Sequence, residues 1–135
     1  MAFENNVGQD ISYFKASADL SGNQFYFVTV NSSSQLAVAG ANVECLGVLQ
    51  DKPKSGVAGQ VRCFGVTKVL ANGNFNPGDK VASDASGKAV KATAASVSAG
   101  TPEPLAGSYV QGIALSAGAA GQYASVLLTH SGLGN

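Results

Sequence analysis

Tryptophan is absent from this chain of 135 residues, histidine and methionine occur once each, and cysteine occurs only twice. Charge is scarce as well: 12% of the residues, eight basic against eight acidic. With no basic field there is nothing to neutralise a nucleic-acid backbone, and with no charged block there is no tail to steer a partner. No apolar run approaches the roughly 20 residues that a helix needs to cross a bilayer, so no membrane partner is expected. The start, MAFENNVGQDISYFK, places Glu4 and Asp10 where a secretory signal carries a basic and then an apolar region. Synthesis in a cytoplasm is therefore expected, where two cysteines read as free thiols rather than a disulfide framework.

The residue sets that carry chemistry are missing too. His130 is the one imidazole, so any Ser-His-Asp or Cys-His device must use it. It stands in LLTHSGLGN near the end of the chain, where an exposed terminal residue is the simpler reading. Neither cysteine has the Cys-x-x-Cys spacing of a zinc or redox site. Residues 73–81, GNFNPGDKV, have glycines spaced as in a phosphate loop, but Asp79 follows Gly78 where that loop needs lysine. As a calcium loop the region fails at Pro77, which replaces the required glycine, and at Ser83, which replaces the bidentate glutamate. Asp51, Asp79 and Asp84 lie in turn-rich contexts where aspartate bonds its own backbone. No catalytic, cofactor-binding or metal-ligating residue is assigned.

What the chain does have is glycine, 17 residues of it, together with short β-branched runs. FYFVTV (25–30) and LAVAG (36–40) read as a hairpin. VECLGVLQ (43–50) pairs with QVRCFGVTKVLA (60–71), and KVAS (80–83) pairs with KAVKA (88–92) across a turn at Gly87. YVQGIALS (109–116) pairs with QYASVLLTH (122–130). Between the second and last of these pairs a phrase recurs, SGVAGQV at 55–61 and AGAAGQY at 117–123. The recurrence predicts two equivalent corners, with Gly56, Gly59, Gly118 and Gly121 as turn residues beside Gly78 and Gly87. Residues 93–107, with Pro-Glu-Pro, read as a surface loop. The expectation is an all-β fold, one small barrel or sandwich of hairpins over residues 21–135.

If the first of those turns centres near Lys54 and Ser55, Cys45 and Cys63 fall almost opposite each other. Two buried small side chains is the plain reading of that pair, and a disulfide is the alternative. Residues 1–20 have no sustained period and read as an extended N-terminal arm, with Phe3, Val7, Ile11, Tyr13 and Phe14 as its apolar anchors. Ordering about ten such residues costs on the order of 10–20 kcal/mol of backbone entropy. Burying four anchors returns roughly 1.5–3 kcal/mol each and new backbone bonds about 0.5–1.5 kcal/mol each, which brings the two sides close to balance. The arm is thus expected to order only on a partner, by adding to a sheet edge.

The stretches LGVLQDKPKSGVAGQVRCFGVTKV, NPGDKVASDASGKAV and VQGIALSAGAAGQYASVLL resemble the small decoration, or capsid cement, proteins of tailed bacteriophages, over about residues 46–128. The resemblance implies a non-catalytic virion protein that binds the outside of a phage head, contacts the major capsid protein and stabilises the shell. It also implies a homo-oligomer, a trimer, with an arm that orders on the shell. The alternative from another class is a β-rich fibre or adhesion module for a host-surface ligand, which requires Phe25, Tyr26, Tyr109 or Tyr123 to cluster on one face rather than pack in the core. An enzyme would need a pocket joining His130 to Cys45 or Cys63.

Overall fold

The computed structural model describes residues 8–41, 43–93 and 109–133. Among these residues nine strands form one antiparallel sheet: β1 (Gly8–Ile11), β2 (Phe27–Val30), β3 (Leu36–Val38), β4 (Gly47–Leu49), β5 (Val61–Leu70), β6 (Lys80–Ser83), β7 (Ala89–Lys91), β8 (Tyr109–Ala114) and β9 (Tyr123–Leu133). The order along the sheet is β3-β2-β4-β5-β9-β8-β6-β7, with β1 on β5. The all-β expectation and each of the four hairpins are present, because alternation and β-branched content point the same way at each of them, joined by turn glycines at three. The expected loop at 93–107 lies outside the described residues from 94 on.

Read from its two ends, the strand order is the same: β2, β3, β4 and β5 recur as β6, β7, β8 and β9. The registers repeat with it. Val28 faces Val38 and Gly47, and Val81 faces Lys91 and Gly112. Val48 faces Arg62 as Ile113 faces Leu127. Off the ladder, Phe25 N–H donates to Leu49 O and Leu49 N–H to Tyr26 O, and in the other half Gly78 donates to Ala114 and Ala114 to Asp79. Ala16 bridges Leu36 at the outer edge of β3, as Ala71 bridges Ala89 at the edge of β7. Each half therefore curls back on the strand that leads into it, and β5 serves both, closing the first half and leading into the second.

The two cores follow the same duplication. The first holds Ala16, Leu20, Val28, Leu36, Leu49, Val61 and Cys63. Their counterparts Ala71, Phe75, Val81, Ala89, Ala114, Val126 and Leu128 all lie in the second. Volume is exchanged between neighbours to keep both close-packed. Gly59 makes room for Leu36 and Leu49, whereas Ala124 at the same place faces Ala89 and Ala114. Gly118 makes room for Phe75, where the first half has Pro53 beside Leu20.

The backbone bends at matching places. The described residues with φ in the left-handed region form four pairs: Phe25 with Gly78, Ser34 with Gly87, Gly56 with Gly121, and Gly65 with His130. In the β2–β3 turn Asn31 Oδ1 accepts the Ser33 and Gln35 N–H groups; in the β6–β7 turn Asp84 Oδ1 accepts those of Ser86 and Lys88. Ser34 carries a side chain at φ 57° where its counterpart is glycine, in an exposed turn. Ser34→Gly is accordingly expected to stabilise the fold by about 1 kcal/mol, the approximate left-handed penalty of an L-residue less the added chain entropy of glycine. A urea midpoint that stays put or falls would refute this.

The halves meet around Phe27. The turn at Gly87 packs on Val38 and on the backbone of Phe27 and Ala39, and Phe27 N–H donates to Gly87 O at 2.7 Å. Phe27, Ala39, Cys45 and Val48 of the first half thereby enter the second cluster.

Candidate functional site

Phe3 and Val7 lie outside the described residues. From Gly8 onward the expected free arm is corrected: β1 pairs with β5, Gly8 opposite Gly65 and Ile11 opposite Val61. Ile11 and Phe14 pack against the first core, and Ala16 and Leu20 belong to it. The reason is that these residues repeat the lead into the second half, so their irregular apolar spacing is that of a bulged strand, with a register shift between Gln9 and Asp10. Tyr13 alone of the described anchors is open, 79% exposed with its ring edge-on to Phe14.

An ion pair ties β1 down. Arg62 Nε donates to Asp10 Oδ1 at 2.9 Å, and Gln60 Nε2 donates to Asp10 Oδ2 at 2.6 Å. The Arg62 bond, reinforced by Gln60 and opposed by partial burial, holds the Asp10 carboxyl below its ordinary value of 3.8. A carboxylate whose folded pKa is lowered contributes stability that is present above its unfolded value and lost as the pH falls through the folded one. Stability is thus expected to be level above about pH 5 and to decline towards about pH 2. Asp19, Asp79 and Asp84 are also held low, so Asp10→Asn should make that limb shallower without removing it, while costing about 1 kcal/mol at neutral pH; an unchanged acid limb in urea titrations at several pH values would contradict the assignment.

The cysteines are not bonded to each other and belong to different cores. Both are free and buried, Cys45 in the second cluster and Cys63 in the first. The β4–β5 register puts Val48 opposite Arg62, and β4 starts only at Gly47. Cys45 leaves the ladder because its N–H donates to Gln111 Oε1 at 3.2 Å. Burial pushes the Cys45 thiol up to about 12, and burial likewise raises Cys63. His130 is not an exposed tail residue: it lies half-buried in β9 at φ 48°, and its Nε2 donates to the Cys63 carbonyl at 2.7 Å. Its counterpart, Gly65, shows that the backbone bends here in both halves, and the carbonyl bond holds the ring in place. That nitrogen is directed to the backbone carbonyl, and each thiol to a carbonyl of its own neighbourhood, Val43 O for Cys45 and Val61 O for Cys63.

Of the turn glycines, Gly56, Gly78, Gly87 and Gly121 have φ of 79°, 91°, 80° and 82°. Gly59 and Gly118 are instead buried positions where a side chain does not fit. Asp79 accepts the Asn76 N–H at 2.8 Å and pairs with Lys91 at 3.4 Å, an ordinary turn role. Among the described residues, no group of three or more His, Cys, Asp or Glu is placed to hold a metal. Of Phe25, Tyr26, Tyr109 and Tyr123, three come together: Phe25, packed against the second core, meets the exposed Tyr123 edge-on at 5.6 Å, and Tyr26 and Tyr123 line one pocket. Tyr109, opposite Leu133, is not part of this group.

Phe64 and Leu127 are exposed residues that single-sequence reading did not mark. Phe64 is 57% exposed on β5, opposite Gln9 of β1 and edge-on to His130. Leu127 is exposed on β9, opposite Val66 and Ile113. Their counterparts are Thr129 and Arg62, so the fold does not require an apolar side chain at either position. The duplication itself is the signal that separates them from core residues.

Comparison with known proteins points in one direction. The structure is similar to the head fiber gp8.5 N base of bacteriophage phi29, with a TM-score of 0.65 and 17% sequence identity, over 94% of this chain and 100% of that one. At that identity the likeness concerns the fold. No curated protein matches the sequence. The model of the phage cement protein family matches residues 6–130. An all-β sheet of duplicated hairpins matched by that model along nearly its whole length makes this chain a member of the phage cement protein family, a capsid-decorating structural protein of the phage head.

Proposed function

We propose that the protein, made in the host cytoplasm, binds the major capsid protein on the outer face of the head as a homotrimer and stabilises the shell without catalysis. The observation that carries this reading is Phe64, 57% exposed beside the point where residues 1–7 enter β1. Phe64, Tyr13 and the arm residues Phe3 and Val7 supply the apolar contacts, and the arm adds to a sheet edge of the shell protein. Trimerisation, which follows from the family resemblance, multiplies a weak contact by effective concentration. The bond from His130 to a backbone carbonyl and the raised thiols support a non-catalytic role.

The test is co-sedimentation with shells lacking the protein, followed by heating of those shells. Saturable binding that raises the disruption temperature is expected. Phe64→Thr, which copies the counterpart Thr129 and so leaves the fold intact, should weaken binding at least about tenfold, the effect of losing a central apolar anchor. Wild-type protein that fails to bind shells would overturn the reading, and an unchanged Phe64→Thr affinity would remove this face from it.

A further inference from the structure

We propose that the open pocket at the junction of the two halves, about 240 Å³ in volume, is a saccharide site that takes an acidic pyranose ring. Ser21, Gln24, Tyr26 and Lys52 from the first half line it, with Leu70 and Tyr123, which face each other where β5 and β9 pair at the edge of the second. Junctions between structural units are where ligand pockets concentrate.

The duplication acts as an internal control on these side chains. Ala58 stands at the place of Tyr123, Asp79 at that of Tyr26, Ala117 at that of Lys52 and Lys15 at that of Leu70. The same backbone is built without any of them, so the aromatic lining is not a requirement of the fold. Phe25 adds a second, independent observation. It holds φ 66° where its counterpart is Gly78, a conformation that is strained for a bulky residue. Strain of this kind is retained where it positions something. The Phe25 ring meets that of Tyr123 at 81° and 5.6 Å, and so fixes the orientation of the pocket's most open aromatic, 49% exposed.

The ligand class follows from the chemistry of the lining. Tyrosine rings offer a flat apolar face to the C–H face of a pyranose and a hydroxyl to its rim. Gln24 is held for hydrogen bonding, its Nε2 donating to Gln50 O at 2.9 Å. Lys52 brings an ammonium to the pocket, Lys68 stands 5.3 Å from the Phe25 ring and Lys88 stands 5.9 Å from the Tyr26 ring. The nearby Asp19 accepts the Ser21 N–H at 3.0 Å. Three lysines around the aromatic group favour a sugar bearing a carboxylate over a neutral one.

The experiment titrates the isotope-labelled free protein with methyl β-D-glucuronide and, separately, methyl β-D-glucoside, following amide and aromatic NMR shifts. Saturable shifts at Gln24, Tyr26 and Tyr123 are expected, with the glucuronide bound at least about threefold more tightly, as suits a solvent-screened charge contact. Tyr123→Ala should abolish saturation and Lys52→Ala should remove the preference, with amide shifts away from the pocket unchanged in both, because Ala58 and Ala117 occupy the matching positions of the same backbone. No saturable shift, equal affinity for the two sugars, or unchanged affinity in Tyr123→Ala would overturn the proposal. Shell binding does not enter the measurement, so its outcome is separate from that of the capsid test.

Discussion

Gly112→Ala is expected to remove about 3–5 kcal/mol of folding free energy, and Gly47→Ala as much, from a total of about 5–15 kcal/mol for a protein of this kind. Neither glycine is needed for its dihedral angles; each is needed for space. A Cβ at Gly112 would collide with Leu127 O and stand 2.6 Å from Val126 Cγ1, and one at Gly47 would collide with Arg62 O. In both cases the nearest atom is a carbonyl oxygen of the adjacent strand, which cannot yield without breaking the ladder that β5 or β9 makes with its neighbours. A single methyl group therefore either splays β8 from β9 or β4 from β5. Urea unfolding of each variant measures the loss; a change below about 1 kcal/mol would show that the strands slide apart more cheaply than close packing implies.

Phe27→Ala should be nearly as damaging, at about 3–5 kcal/mol, the range for deleting a fully buried aromatic. Phe27 is wholly buried and sits where the second half docks on the first. Because Cys45 and Val48 of the first half share a cluster with Val81, Val126 and Leu128 of the second, the damage should lower one common transition rather than release half of the molecule. Two probes, tyrosine fluorescence and far-ultraviolet circular dichroism, should trace the same midpoint. Separate midpoints would mean that the halves fold independently and that their junction contributes little.

Legibility in the sequence depended on whether a feature was local. The hairpins at Gly87 and around residues 55–61 were readable because glycine, alternation and β-branched residues agree within a few positions. The recurring Gly-x-Ala-Gly-Gln phrase marked the right two corners but in the wrong alignment. It equates Gly59 with Gly121, whereas the ladders and the positive φ angles equate Gly56 with Gly121. A three-residue slip between two Ala-Gly-rich turns leaves no trace in composition; only the strand register decides it. Phe25, Ser34 and His130 were opaque for a related reason, since nothing local announces a left-handed bend in a residue that is not glycine and tertiary contacts hold it there. The cysteine expectation missed by two positions, since the register carries Gly47 opposite Cys63, and Cys45 lies before β4 begins, where its N–H turns to Gln111 instead of to a ladder partner. The segment from Gly8 to Leu20 was misread because half of its partners, in β5 and at Leu36, lie far along the chain.

The docking of the Gly87 turn on Phe27 and Val38 is a step that could in principle be taken again by another molecule. The matching receptor in the second half would be Lys80 and Lys91, and there the apolar pair has become two lysines. At the opposite end, the turn that would have to dock is the bare polar run Ser32–Ser33–Ser34. Neither end therefore offers the apolar contact that head-to-tail addition would need. A coat protein is concentrated by its own task, many copies side by side on one particle, and a chain built from a repeated unit is the kind most exposed to runaway polymerisation. Two ammonium groups where the first half has Phe27 and Val38 work against that, by the same means that charged residues protect sheet edges.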